Sequence, residues 1–413
     1  MANPVRFGMI KKNTIMAINT DPKKIEELAS RNVEEIFEKE SLIRKLKSGK
    51  QLRIKHGIDP TGPKIHIGRA VQFWKLRAFQ DLGHKIVLII GDFTAQIGDA
   101  SDKQAMRKPL AESEIKANLK DYAKQISKIL DIRKTEIQYN SKWLNKLTAK
   151  DMLSLAMRFT AQQMIQRRNF KERWDSGKPI GLHELSYPLF QGYDSVSVKA
   201  DVEIGGSDQL FNLQAGRELQ KTFGQNPQDI MTLKMLSGLD GRKMSTSWGN
   251  VITIVDEPND MYGKIMSMQD GLISEYFELC TSLPIAEVEK IKNDLATGSV
   301  NPRDLKARLA KEIVAIYHGR KLAEVAEREF EKVFKEKEIP SQIPETKIEE
   351  KEIPILDLLE KTGLVSSKAE AKRLILQKGV KINNEVQDDW KKSVEIKKRT
   401  VVQVGKRKFA KII

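Results

Sequence analysis

The stretch Gly57-Ile58-Asp59-Pro60-Thr61-Gly62-Pro63-Lys64-Ile65-His66-Ile67-Gly68-Arg69 decides how this chain is read. Leu52 to Ile58 alternates apolar residues as a strand does, and Pro60 and Pro63 then stiffen a loop. From Ile65 the spacing turns helical, with Ile67, Val71, Trp74 and Ala78 on one stripe and Gly83 where a C-terminal cap is expected. Ile86 to Ile90 follows, apolar on both faces like a central parallel strand covered by helices. Strand, loop, helix and strand make a βαβ unit, whose crossover is right-handed in a parallel sheet.

Working outward, the segment from about 109 to 170 is rich in Ala, Leu, Lys, Gln and Met and reads as a helical insertion. A second unit follows: alternation over Asp194 to Val198, a strand near Val202 to Ile204, then Gly205-Gly206-Ser207-Asp208 opening a helix that ends near Gly224. Two such half-sheets facing across a crevice form a nucleotide-binding α/β core. Residues 1–256 are therefore expected to be one parallel-sheet domain, and 257–334 a charged helical bundle. Residues 335–352 carry Pro, Glu and Lys with little apolar content, as a tether does. Residues 353–413 form a small basic module with 15 Lys and Arg against 7 Asp and Glu. Its surplus of 8 is half of the chain's +16, which points to a polyanionic partner.

Other classes fall away on composition. The single Cys280 allows no intramolecular disulfide or Cys-rich zinc site and suits a reducing compartment. The first residues lack the pattern of a signal peptide, and the longest aliphatic run, Ile86 to Ile90, is far short of the ~20 residues a membrane helix needs. A cytoplasmic protein with no membrane partner is expected.

No GxxxxGK[ST] or GxGxxG follows a strand, so any phosphate must be held otherwise. The quoted stretch places Thr61, His66 and Arg69 at a helix start, where free N–H groups and the helix dipole favour anions. His66 and Arg69 share a helix face, and Gly68 between them lets a base or ribose lie against the backbone. Asp240-Gly241-Arg242-Lys243-Met244-Ser245-Thr246-Ser247 is a polar loop after the apolar run Ile230 to Leu236, with a lysine beside hydroxyl residues suited to clamping a polyphosphate.

These two stretches resemble the HIGH and KMSKS motifs of the class I aminoacyl-tRNA synthetases, in the family's order. Gly91 to Asp99, Tyr187 to Asp194 and Gly205 to Gln209 look like the tyrosyl branch of that family in its bacterial form, and residues 353–413 resemble its S4-like RNA-binding module. The resemblance implies an α/β protein: a Rossmann-like catalytic domain with a helical insertion, an α-helical anticodon-binding domain and a small α+β S4-like domain. It implies tyrosine activation by ATP with Mg2+, both as substrate and with no permanently bound cofactor or metal, then transfer to tRNA(Tyr) by a homodimer. Thr61, His66, Arg69 and Lys243 would act on the phosphates, with Lys103 and Arg107, four apart, reaching phosphate or the tRNA acceptor end. Gly57, Asp59, Gly68, Gly206, Asp208, Gln209 and Thr246 would complete the ATP site.

Tyr187, Gln191 and Asp194 fall four and three apart, hence on one helix face. By resemblance Asp194 accepts the phenol O–H, Tyr187, Gln191 and Asp99 take the ammonium, and Asp59 stands beside it. In the tail, Leu356, Leu359, Leu364, Ala371, Leu374 and Ile375 are expected to bury a small core, leaving Lys368, Lys372, Arg373, Lys378 and Lys381 for RNA backbone.

The pattern departs from the family at several positions. Arg69 replaces the second His of HIGH, Thr246 the second Lys of KMSKS, and Asp102 a frequent glycine. Lys55 stands where many relatives place a tyrosine that touches the phenol, and is counted here among the tyrosine contacts. At 246 a positive charge is missing, for which Lys243 or Arg242 is expected to compensate. The alternatives are a tryptophanyl enzyme of the same fold, or a synthetase-like RNA-binding protein without aminoacylation.

Overall fold

A computed structural model describes residues 17–99, 110–332, 344–397, 400–405 and 408–413, without the side chains of Arg168 and Ser247. The chain divides into two compact units, one of residues 1–255 and 269–300 and the other of 256–268 and 301–413.

The first unit is built on a six-stranded sheet of β1 (Val33–Phe37), β2 (Arg53–Ile58), β3 (Lys85–Ile90), β4 (Glu136–Tyr139), β5 (Val202–Gly206) and β6 (Asp229–Leu233). The spatial order is β1-β6-β5-β2-β3-β4, with β1 antiparallel to β6 and every other pairing parallel. β3, β5 and β6 are buried almost throughout, as strands covered on both faces must be. Chain order reverses between β2 and β5, so a crevice opens at the carboxyl ends of these two strands, where such sheets bind ligands.

The helix Ile67–Asp81 follows β2 as expected, and Gly83 beyond it takes φ +95°, a conformation that costs glycine nothing. Its deepest face is Ala70, Phe73, Leu76 and Phe79, whereas Trp74 and Ala78 of the expected stripe are half-buried at its margin. The 109–170 insertion is mostly short helices, but it also delivers β4 to the sheet edge. The alternation over Asp194 to Val198 is not a strand: it ends the helix Leu182–Val198. That helix is buried on most sides, so its Ser and Val residues show no clear 3.6-residue period.

In the second unit the helices Pro258–Met266, Pro302–His318 and Arg320–Glu331 pack together, with Tyr262 and Phe330 in ring contact at 5.4 Å. The rest is a small α+β module. Two helices, Ile355–Lys361 and Lys368–Leu376, cover a five-stranded sheet through a core of Ile355, Leu358, Leu359, Leu364, Ala371 and Ile375, while Leu356 and Leu374 pack at its edge. The expected tether ends early, because Glu345–Thr346 adds a parallel strand to Lys408–Ile412 and Glu352–Pro354 pairs with Ser393–Glu395. Among the described residues no helix is long and apolar enough to cross a membrane.

Candidate active site

The crevice between the strand ends of the first unit holds a cavity of about 390 Å³. The loop after β2 and the following helix start contribute Gly57, Asp59, Thr61, His66, Gly68 and Arg69 to its wall. Asp208 and Gln209 enter from beyond β5, and Lys243 and Thr246 from the polar loop after β6. Asp99, Tyr187, Gln191 and Asp194 line the same space. Gly206 lies just behind the wall, where an added Cβ would fall 2.6 Å from the Asp208 carboxylate. Lys103 and Arg107 lie outside the described residues.

At the helix start, His66 is the N-cap and its Nδ1 accepts from the Arg69 backbone N–H at 3.3 Å. The imidazole proton is thereby assigned to Nε2. Burial, then the charges of Arg69 and Lys243, pull the His66 pKa down to about 3, so the ring is a neutral donor at neutral pH. Arg69 braces the preceding loop by donating to the Asp59 carbonyl at 3.0 Å and to Thr61 Oγ1 at 2.9 Å. Two of its five donors are thus spent on loop geometry. A Cβ on Gly68 would press on the His66 ring and on Met244 Sδ at 3.1 to 3.3 Å, so glycine lets the polar loop close over the helix start. In that loop Lys243 pairs with Asp208 at 3.0 Å. Arg242 donates instead to Asp240, stacks 4.8 Å over Trp248 and does not line the cavity, so it does not replace the charge missing at 246.

The other half of the cavity is a carboxylate pocket. Asp194 is 3% exposed; its Oδ1 accepts from Trp143 Nε1 at 2.7 Å and its Oδ2 from Asn140 Nδ2 at 3.3 Å. Burial raises its pKa to about 7 against the opposing pull of Lys55 and these two donors. Each oxygen keeps a lone pair for a further donor. Asp59 accepts from Thr94 Oγ1 at 2.8 Å and from the Tyr187 hydroxyl at 3.0 Å. Asp99 accepts from Gln209 Nε2 at 2.8 Å, with Arg167 3.6 Å away.

Lys55 is not at the wall. Its ammonium is wholly buried, 2.8 Å from Glu203 and donating to the Gln191 carbonyl and Ser195 Oγ, both at 2.7 Å. A lysine this far from water needs a counter-charge, and the carboxylate it pairs with is the wholly buried Glu203, which does not line the cavity, so the expected substrate contact becomes a support. Glu203 Oε1 also accepts from Gln191 Nε2 at 3.1 Å. A carboxylate can only accept, so the Gln191 amide is fixed with its oxygen turned the other way, toward Asn212 Nδ2 at 3.0 Å.

Sequence reasoning missed Asn140, Trp143 and Thr94. Asn140 follows β4 and holds Phe93 N–H, Thr94 Oγ1 and Asp194 together. Its only signal would have been the strand inside the insertion. In the C-terminal module Lys368, Lys372, Arg373 and Lys378 are exposed and Lys381 is half-buried. Lys368 pairs with Asp357, and the Lys372 ammonium lies 3.9 Å from the centre of the Trp390 ring.

Comparison with known proteins is consistent over most of the chain. The family model described as tRNA synthetases class I (W and Y) matches residues 46–335, and that of the Tyrosine--tRNA ligase SYY-like C-terminal domain matches 334–412. The tyrosine-tRNA ligase of Moorella thermoacetica is 48% identical over 92% of this chain and 94% of its own. That of Carboxydothermus hydrogenoformans is 48% identical over 94% and 97%. Among solved structures, a C-terminally truncated Aspergillus nidulans mitochondrial tyrosyl-tRNA synthetase superposes with a TM-score of 0.61 at 23% identity, over 75% of this chain and 94% of its own. The Archaeoglobus fulgidus tyrosyl-tRNA synthetase complexed with L-tyrosine does so with 0.59 at 24%, over 74% and 98%. At these identities the structures speak for the fold.

Proposed function

The chain belongs to the class I tRNA synthetases of the tryptophan and tyrosine type, and from that membership we infer a tyrosine-tRNA ligase, which activates L-tyrosine with ATP and passes it to the 3′ end of tRNA(Tyr). Tyrosine rather than tryptophan is carried by the match to tyrosine-tRNA ligases over most of the chain and to their C-terminal domain, and the buried Asp194 carboxylate, facing the same cavity as the His66 helix start, is then the acceptor for the phenol. A carboxylate also accepts from an indole N–H, as Asp194 does from Trp143, so the carboxylate alone does not separate the two amino acids.

In the first step an oxygen of the tyrosine carboxylate attacks the α-phosphorus, the Pα–O bond breaks, and pyrophosphate leaves with the electron pair. The attacking carboxylate is already ionised at neutral pH, so no general base is needed. Catalysis is then alignment and neutralisation of charge on phosphate oxygens. Thr61, the neutral Nε2–H of His66, Arg69 and Lys243 are the groups we assign to that task, with Mg2+ arriving on ATP. Asp208 and Gln209 flank the nucleotide, Gly57 leaves open space beside it, Gly68 lets the polar loop close over it, and Gly206 leaves the Asp208 carboxylate its place. Thr246 supplies a hydroxyl from the loop.

Tyrosine is held at both ends. Asp194 accepts the phenol O–H. The ammonium meets Asp99, Asp59, the Gln191 oxygen and the Tyr187 hydroxyl, whose own proton is already given to Asp59. Phenylalanine would leave the Asp194 lone pairs that face the cavity without a donor, and tyrosyl-tRNA synthetases are the known case in which such a mismatch gives ~10⁵ in discrimination.

The exposed cations of the C-terminal module are assigned to tRNA backbone. A homodimer is part of the same reading: Leu153, Met157, Trp174 and Leu182 stand 66%, 82%, 62% and 82% exposed on the 149–182 segment, apolar area that a second copy would cover. Buried Cys280 fits a cytoplasmic setting. Amino-acid-dependent pyrophosphate exchange tests the function. Exchange with tyrosine alone is expected, and exchange with tryptophan and not tyrosine refutes it.

A further inference from the structure

We propose that Lys234 is a catalytic cation for the pyrophosphate leaving group, standing in for the positive charge that the polar loop lacks at Thr246. The proposal rests on the adenylate-forming reaction described above.

The charge balance of the cavity motivates it. Among the described residues four carboxylates line it, Asp59, Asp99, Asp194 and Asp208, against three cations, Arg69, Lys234 and Lys243. His66 adds none, since burial keeps it neutral. Arg69 spends donors on the Asp59 carbonyl and Thr61, and Lys243 sits against Asp208. A bound triphosphate brings several further negative charges, and more appear on the bridging oxygen as the Pα–O bond breaks. Among the described residues the polar loop itself meets that load with one lysine, beside Arg69 and the magnesium that arrives on ATP.

Among the described residues Lys234 is the cation placed to add to them. It is the first residue after β6, at the carboxyl end of the sheet, and lines the cavity beside Met235, Leu236, Lys243 and Thr246. It also borders a neighbouring cleft, where its ammonium pairs with Glu278 at 2.6 Å. The two side chains are 43% and 33% exposed, so the pair is weak and readily exchanged for a phosphate.

The backbone there is held independently of that pair. Ser237 N–H donates to Glu275 at 2.6 Å, the Tyr276 hydroxyl donates to the Ser237 carbonyl at 2.8 Å, and Ser237 bridges to Lys243 across the loop. Lys234 can therefore turn from Glu278 to the cavity without moving the chain that carries it. Glu278 serves as its resting partner.

In the step itself the carboxylate–phosphorus bond forms, the Pα–O bond breaks, and the electron pair leaves on pyrophosphate. Lys234 neutralises that charge and transfers no proton.

The test is a substitution cycle on the full chain: Lys234→Ala, Thr246→Lys and the two together, followed by single-turnover tyrosyl-adenylate formation. Lys234→Ala is expected to slow that step on the order of 10- to 100-fold with tyrosine KM unchanged. In the Thr246→Lys background the same change should cost less than about threefold, because the loop then carries its own second cation. Glu278→Gln should leave the rate intact. Binding of magnesium pyrophosphate, followed by calorimetry, reads the same cation without any amino acid, and it should weaken in Lys234→Ala and recover in the double variant. A chain inert toward tyrosine would thus overturn the function and still report on Lys234. The proposal falls if Lys234→Ala forms adenylate and binds pyrophosphate like the unaltered chain. It also falls if the loss is equal in both backgrounds, or if Glu278→Gln reproduces it, since Lys234 would then only be a strut.

Discussion

Replacing Lys55 by methionine removes the positive half of an ion pair in which both side chains have no solvent exposure. Glu203 would keep the hydrogen bonds from Gln191, Ser195 and Gln228 but lose its only charged partner within salt-bridge distance among the described residues. Breaking such a pair on one side costs about 3–5 kcal/mol, because the remaining charge stays buried and uncompensated. Removing both charges with Lys55→Met and Glu203→Gln together should cost far less, since the volume stays filled and the remaining groups still find partners. Urea denaturation of the full chain, followed by tryptophan emission, should show a much earlier transition for the single variant and a largely restored one for the pair. The double variant should bind tyrosine more weakly than the unaltered chain, because a neutral residue at 203 no longer dictates which way the Gln191 amide points. If Lys55→Met unfolds at the same urea concentration as the unaltered chain, the reading of Lys55 as a buried support is wrong.

Three further outcomes follow from the same geometry. Burial holds the Asp194 pKa at about 7, so its ionised, accepting form is lost as pH falls through that value. Tyrosine KM should therefore rise below pH ~7, by up to about tenfold per unit, while staying flat above it; a KM constant down to pH 5 would contradict this. His66 titrates near 3, so adenylate formation at saturating tyrosine should show no step near pH 6.5, and His66→Ala should slow it by about 10²- to 10³-fold while also removing a helix cap. Replacing Lys372 and Arg373 together by alanine should weaken tRNA binding without changing adenylate formation. The log–log slope of affinity against salt should flatten by about 0.7–0.9 for each phosphate no longer neutralised, as filter binding across salt concentrations would show.

Much of this was legible from residues alone, for a physical reason. The β2-loop-helix stretch carries prolines, a stiff aliphatic neighbour in β3 and polar residues at a helix start, and local chemistry of that kind survives without tertiary context. Tyr187, Gln191 and Asp194 could be grouped because a helix repeats every few residues, and they do share one wall. What stayed hidden depends on long-range pairing. β1 and β4 lie at the sheet edges with no buried position in either, so neither shows a strong apolar pattern. Asn140 and Trp143 reach Asp194 from 54 and 51 residues away, a juxtaposition no spacing announces. Lys55 was misplaced for the same reason: its partner Glu203 arrives on β5, and only the folded sheet sets the two face to face.

We place the tyrosine phenol on Asp194, in the same cavity where the His66 helix start receives phosphate. Tyrosine-dependent pyrophosphate exchange by Asp194→Ala addresses that placement most directly. The account predicts loss of exchange through a tyrosine affinity too weak to saturate, with ATP binding to the free protein unchanged. Normal tyrosine affinity in that variant would contradict it.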